Sequence, residues 1–370
     1  MKKVILVIAV ILTASAAGFS QNADSPAVMY RLDSIIIERE GLPSSKETYL
    51  YNEYGKEILT THFSWNETNN EWEESGKEEY TYDDNNNLIM WIPYSRDGDW
   101  KKDYKSEYTY DSNNNQTMCI YSRLDKETKN WIGKEKRESM YDNKGNKTTY
   151  TRYDWDETTN NLSEYSKSEM TYNDKNNLTM LISYDWDNKI NDWVIDEKIE
   201  YTYDNNGKKI IEISYDWDDK TNNWKISDNK RKFAYDNNGN QIMDINSSFK
   251  DESAYDNNGN RTIFTTYYWN KATHNWVKDF KEESTYDDNG NQIMSIAYFR
   301  DERRKSKYEY LFDLSYLKTD LIIPNSTDLY IGINMPTRII SYEWTGTEWV
   351  QENITTYYWS EKKITIDNKK

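Results

Sequence analysis

The 370-residue sequence predicts an all-β fold of tandem antiparallel β-hairpins. Three observations carry that reading. The first is a Tyr-Asp-x-x-Gly/Asn motif with its tyrosine at Tyr51, Tyr82, Tyr110, Tyr141, Tyr172, Tyr203, Tyr235, Tyr255 and Tyr286, spaced 31, 28, 31, 31, 31, 32, 20 and 31 residues apart. A period of about 31 marks a repeat architecture. The second is a pair of alternating turn signals. "DNNGN" (Asp204–Gly207, Asp236–Asn240, Asp256–Asn260) combines Asn and Asp, which bond their own backbone, with Gly, which takes positive φ freely. The "DETNN" type (66–70, 156–161, 187–192, 218–223, 270–275) is longer and lacks Gly, which predicts a looser loop. The third is even spacing of bulky residues. Ile211, Ile213, Tyr215 and Trp217 lie at even offsets from Tyr203, and Trp72, Trp100, Trp131, Trp193 and Trp276 each precede an anchor tyrosine by ten residues. Even offsets put side chains on one face of a strand.

One unit is therefore two strands of roughly ten residues, ~33 Å long. A lone hairpin is marginal in water, so neighbouring units must pair edge to edge. The expected product is one continuous curved or superhelical sheet, solenoid-like, with Tyr and Trp plating a single dry face.

In chain order, residues 1–20 read as a signal peptide. Lys2 and Lys3 precede an apolar run, Val4–Leu12, and a small-residue Ala14-Ser15-Ala16 cleavage pattern. Residues 21–44 are an N-terminal lead-in and 45–310 the hairpin repeats, with strands near 208–217 and 224–235. Trp224 to Tyr235 is an odd step of eleven and calls for a β-bulge. "QIMDINSSFKDESA" has room only for a short hairpin, which cuts a notch in the sheet. Residues 311–337, with Pro324 and Pro336, fit no unit and read as a cap or functional loop; 338–370 form a terminal hairpin.

Composition narrows the function classes. Formal net charge is −17, and loss of residues 1–20 removes two lysines and no acids, giving −19. Such a surface repels nucleic acid and anionic lipid, so neither is expected as a partner. No later stretch is long and apolar enough for a membrane-spanning helix. Cys119 is the single cysteine, so stability must come from packing without an internal disulfide. Aromatics reach 15 %, which separates the chain from disordered acidic segments.

No catalytic constellation stands out. His62 and His274, the two histidines, read as surface residues beside loops. The carboxylate pair Asp185/Asp187 would suit glycoside hydrolysis, but it recurs as Asp154/Asp156 and Asp216/Asp218. A reaction needs one special place, so recurrence argues for structure. "DNNGN" supplies oxygens of the kind Ca²⁺ takes, but Gly falls at the wrong place for an EF-hand loop, and turn formation accounts for the residues. The expectation is no metal ligands and no cofactor, with Ca²⁺ the alternative. For binding, the candidates are Trp65, Trp155, Trp186, Trp217 and Trp269, which flank the long loops.

The motif at Tyr255–Asn260, with variants at Tyr141–Asn146, Tyr235–Asn240 and Tyr286–Asn291, resembles the YD repeats of Rhs-type and teneurin-type proteins across residues 51–310. That resemblance implies spiralling antiparallel sheet, which in large members forms a hollow shell. The Tyr215–Trp224 half resembles aromatic-rich tandem repeats exported by Bacteroidetes-type bacteria. The expected protein is an exported, non-enzymatic scaffold, secreted, periplasmic or on the outer surface. It binds glycan or surface protein through aromatic-flanked loops. The alternatives are a purely structural envelope spacer and a carboxylate-dependent glycoside hydrolase. Nothing in the sequence sets an oligomeric state.

Overall fold

The computed structural model describes residues 27–156, 159, 161–300, 305–324 and 333–364. The expected signal segment, 1–20, lies outside the described residues. The hairpin reading holds: strands make up 73 % of the chain and successive strands pair antiparallel.

Strand β1 (Ala27–Arg39) leads into β2 (Leu42–Tyr51), β3 (Glu57–Asn66), β4 (Glu71–Tyr82) and β5 (Leu88–Asp97). The returning strand of the next hairpin is split into β6 (Asp99–Lys102) and β7 (Tyr104–Tyr110). The regular repeats follow: β8 (Gln116–Leu124), β9 (Trp131–Tyr141), β10 (Lys147–Asp156), β11 (Asn161–Tyr172), β12 (Leu178–Asp187), β13 (Asp192–Tyr203), β14 (Lys209–Asp218) and β15 (Asn223–Tyr235). A short hairpin, β16 (Gln241–Ile245) and β17 (Phe249–Tyr255), precedes β18 (Arg261–Asn270), β19 (Asn275–Tyr286), β20 (Gln292–Phe299) and β21 (Lys305–Leu317). The chain ends through β22 (Leu321–Ile322), β23 (Asn334–Trp344) and β24 (Trp349–Ile364).

Two expectations are corrected. The sheet is not solenoid-like. β1 pairs with β2 on one edge and with β24 on the other, from Ala27↔Ile364 to Arg39↔Asn353, so the strands close into a 22-strand barrel. Closure removes the two open edges that a solenoid must cap. Nor do the Trp and Tyr anchors share a face. Every long returning strand carries a bulge between them: Tyr184 faces Ile195 and Ser183 faces Glu197, leaving Asp196 as the extra residue. A step of ten with one residue bulged out is an odd step on the pleat. The same shift occurs opposite His62/Phe63, Arg152/Tyr153 and Thr266/Tyr267. In the eleven-residue unit Ile213 faces Lys230 and Tyr215 faces Ile226, so two residues are surplus and the faces come out the same. A second shift follows each Asn/Gly turn, as where Thr202 faces Ile211 and Tyr203 faces Lys209.

The sheet thus has two different aromatic faces. One carries Tyr184, Trp186, Trp193, Lys198 and Glu200, and the other carries Ser183, Ile199, Tyr201 and Tyr203. The second is concave, because one cleft on it is lined from β5 across to β10; it is the inner face. Twenty-two strands spaced ~4.8 Å apart give a circumference of roughly 105 Å before tilt, too wide for side chains to fill. The described strands therefore enclose a lumen wider than their own side chains fill.

The turns work as their residues require. In Asp204–Lys208 the Asp204 Oδ1 accepts the N–H groups of Asn206 and Lys208, and Gly207 sits at φ 81°. Asn86, Asn114 and Asn176 take the same left-handed place. The second turn type is tighter than expected. Asn191 N–H closes on the Asp187 carbonyl at 2.8 Å, and Asn70 on Asn66 at 2.9 Å, each with a left-handed Asn. The anchor tyrosines then stitch the inner face. Tyr203 Oη donates to the Leu178 carbonyl at 2.7 Å, and Tyr172, Tyr235 and Tyr286 donate likewise to Lys147, Lys209 and Arg261. Each acceptor is the residue that faces the preceding anchor.

The segment after Tyr310 is a strap. It leaves β21, sets Tyr316 against Tyr30 with ring centroids 4.1 Å apart and planes tilted by 47°, and pairs β22 in parallel with β1. Ile323 then packs on the inner cluster of Leu32, Ile35 and Tyr49. The strap is pinned through Asn291, fully buried, whose amide donates to Asn334 Oδ1 and whose Oδ1 accepts the N–H groups of Ile333 and Asn334. The expected notch is present beside the β16–β17 hairpin: only Lys232–Tyr235 of β15 pair with β16.

Candidate functional site

The outer face is a repeated module. Five and three residues before the anchor tyrosine stand Lys and Glu: Lys77/Glu79, Lys105/Glu107, Lys136/Glu138, Lys167/Glu169, Lys198/Glu200, Lys250/Glu252 and Lys281/Glu283. Each pair bonds at 2.6–2.9 Å. The lysine also lies across neighbouring rings, Lys198 Nζ being 4.1 Å from the Tyr215 centroid and 5.1 Å from Trp224. Tyr215 Oη donates to Glu200 at 2.8 Å and closes the set. The Lys198 bond, then the Tyr215 bond, holds the Glu200 carboxyl below its ordinary value. The K-x-E-x-x-Y spacing is legible in the sequence, but no aromatic or turn signal draws attention to it.

The tryptophans mark one rim. Trp65/Trp72, Trp186/Trp193, Trp217/Trp224 and Trp269/Trp276 are cross-strand pairs meeting edge to face at 5.0–5.2 Å. Lysine covers the returning-strand ring, as Lys167 over Trp193 at 5.5 Å and Lys250 over Trp276 at 5.9 Å. Trp155 instead lies over Gly133, where an added Cβ would run into its ring. All five candidates, Trp65, Trp155, Trp186, Trp217 and Trp269, are half-buried on the outer face. The structure does not gather them into one site; it spaces them around the rim. Pairing between neighbouring hairpins stops short of the tips, at Ser166↔Asp185 and Glu197↔Asp216, so each tip is a separate finger.

The inner face varies where the outer face repeats. Four residues before the anchor stand Glu78, Ser106, Arg137, Ser168, Ile199, Arg231, Asp251 and Glu282 in successive units. His62, read as a surface residue, lies on this face with Nδ1 3.3 Å from Glu47 and Nε2 3.2 Å from Glu78. The Glu47 bond, then the Glu78 bond, raises its pKa to about 9, while the His62 bond leads in lowering Glu78 to about 2. His274 occupies the left-handed position of its loop at φ 52°. Of the recurring carboxylate pairs, the second member makes the turn: Asp187 Oδ1 accepts the Lys189 N–H at 2.7 Å, and Asp218 Oδ1 that of Lys220 at 3.0 Å. In the turns that run from Asp to Asn both Asp oxygens are engaged, as where Asp236 Oδ1 accepts the Asn240 N–H and Oδ2 the Asn240 amide at 2.9 Å.

One concavity is an inner-face cleft of about 530 Å³. Trp91, Tyr108, Tyr121 and Tyr150 supply its aromatic surface, and Arg137, Lys147 and Glu135 its charge. Trp91 Nε1 donates to Glu78 at 2.7 Å, which fixes the indole. Tyr121 stacks on Tyr104 at 5.4 Å and 17°. Burial pushes the Cys119 thiol up, so this lone cysteine is a weak nucleophile. The even-offset reading concealed this cleft, because it assigned Tyr and Trp to a single buried face.

No family model and no curated protein matches the chain. A solved Bacteroides fragilis protein of unknown function is 17 % identical, over 34 % of this chain and 88 % of its own, at a TM-score of 0.29. A TcdB2-TccC3 crystal structure is 10 % identical, over 87 % of this chain and 21 % of its own, at 0.31. A porin-like protein from Bacteroides uniformis is 8 % identical, over 90 % of this chain and 96 % of its own, at 0.23. Likenesses this weak carry no functional argument.

Proposed function

We propose that the protein is an exported, non-enzymatic binding barrel whose rim of tryptophan-bearing fingers engages glycan on cell-surface material. The observation that carries this is the rim itself: partly exposed indoles, spaced around one end on separate fingers, offer repeated flat surfaces to a polymer. Aromatic faces beside amide and carboxylate edges suit sugar rings. Lys and Glu recur on the outer face and charged groups line the inner one, so neither is the apolar band of a lipid-facing wall. That supports a barrel standing in water, in the periplasm, at the outer surface or released. A purely structural envelope role is the second reading, favoured by the uniformity of the outer module.

A glycan array probed with the mature chain tests the reading. Binding to a saccharide class is expected, weakened at least tenfold in Trp186→Ala and abolished when Trp65, Trp155, Trp186, Trp217 and Trp269 are all replaced, with circular dichroism unchanged. Absence of any glycan signal, or equal binding by the folded variants, would favour the structural role.

A further inference from the structure

We propose that the inner-face cleft between β5 and β10 is a second binding site, for a saccharide that carries a carboxylate. The inference is independent of the rim.

Repetition supplies the first argument. The outer module recurs almost unchanged because it holds strands together. A residue at an inner-face position that varies from unit to unit is free of that duty. Arg137 is such a residue; its equivalents in adjacent units are Ser106 and Ser168. Its counterpart Arg231 is closed off by two acids, bonding Asp244 at 2.5 Å and Glu212 at 3.5 Å. Arg137 has its Nε on Glu135, a carboxylate that also serves Arg152. Its side chain remains 52 % exposed, with the guanidinium anchored on one edge and facing the cleft.

Charge supplies the second argument. The ionic groups lining the cleft are Arg137 and Lys147 against Glu135, two cations to one anion. In a chain of net charge −17 this is a local reversal of sign. An arginine fork matches a carboxylate in two parallel bonds, and a lysine adds a point charge.

Shape supplies the third. A cleft of 530 Å³ falls in the range of small-ligand sites. Trp91, held by Glu78, and Tyr121, held by Tyr104, present pre-positioned ring faces, which lowers the ordering cost of binding. Ser106, Ser139 and Gln116 add polar groups for hydroxyls. Flat rings, hydroxyl partners and one surplus positive charge describe a uronic-acid residue. A nucleoside phosphate fits less well, because the surrounding acidic barrel repels a multiply charged anion more strongly than a singly charged one.

Calorimetric titration of the mature chain with trigalacturonic acid, a glucuronate-containing tetrasaccharide, neutral galactotriose and ATP tests the site. Binding of at least one uronate ligand is expected, tenfold or more tighter than galactotriose and ATP, and weakened by salt. Arg137→Gln should lower that affinity at least tenfold, Arg137→Lys less, and Trp91→Phe measurably. Trp186→Ala, at the rim, should leave it unchanged. Melting curves matching wild type confirm that each variant is folded. No binding of either uronate at millimolar concentration, equal binding of the neutral sugar, tighter binding of ATP, or an unaffected Arg137→Gln protein would overturn the proposal.

Discussion

At the scale of single residues, stability rests on side chains that complete backbone hydrogen bonding or share a charge. Tyr203 Oη satisfies the Leu178 carbonyl next to a bulge, where strand pairing is interrupted. Tyr203→Phe should therefore cost about 1 kcal/mol in urea denaturation, the usual net value of one hydrogen bond, and Tyr203→Ala several times that. The His62 triad adds a pH dependence whose sign follows from the shifts. A folded pKa of about 9, above the ordinary 6.5, means stabilisation is complete below pH 6.5 and lost as pH rises to 9. Glu78, lowered to about 2, contributes above pH 4.5 and loses its contribution as pH falls below that. His62 is 34 % exposed, so solvent screening limits its contribution to about 1–2 kcal/mol. Wild type should lose that much between pH 6.5 and 9, and His62→Gln should not. Identical slopes for the two proteins would remove the triad from the account. Because the Asn/Gly turns occupy both oxygens of Asp236, melting in EDTA and in millimolar Ca²⁺ should coincide; a Ca²⁺-dependent rise would point to a bound ion.

At the scale of the hairpin, the bulge controls which way side chains point. Regular units carry one surplus residue between the Trp and Tyr anchors and the 224–235 unit carries two, yet both put Tyr on the inner face. The bulge absorbs length while the nine paired steps are kept. One glycine inserted after Asp196 should shift stability by less than about 1 kcal/mol, because the bulge simply widens. The same insertion after Glu200 splits the Lys198–Glu200–Tyr203 spacing and should cost roughly 3 kcal/mol or more, read by thermal melting. Near-equal melting temperatures for the two insertions would show that register is set elsewhere. This is also where the sequence stopped being legible. Turn positions, strand lengths and the short β16–β17 hairpin followed from Asn, Asp, Gly and spacing alone. Facing did not, because a one-residue bulge leaves no compositional mark at Asp196, Ser75 or Asp279, and parity counted straight through it is inverted. The rim tryptophans were found because they flank loops. The Trp91–Arg137 cleft was not, because its residues come from five strands and become neighbours only through pairing and concavity.

At the scale of the whole molecule, the strand count sets the size of the ring. Each 31-residue unit adds two strands and ~10 Å of circumference. Removing residues 173–203 joins Tyr172 to the turn that begins at Asp204, preserving the motif on both sides. The product should remain a cooperatively folded, closed barrel of smaller radius, seen as a reduced radius of gyration in solution scattering. An aggregated or extended product would mean that this ring closes at one size only. The lead-in, unassigned to any element from sequence, supplies β1, and β1 is the partner of β24. That pairing has a kinetic consequence. The residues it joins lie more than 300 positions apart, so closure comes last and is entropically the most demanding step. A chain synthesised from its N-terminus must hold β1 unpaired on one side until β24 emerges. Until then it is an open ribbon with two adhesive edges, and its exposure to misassembly lasts as long as its own synthesis.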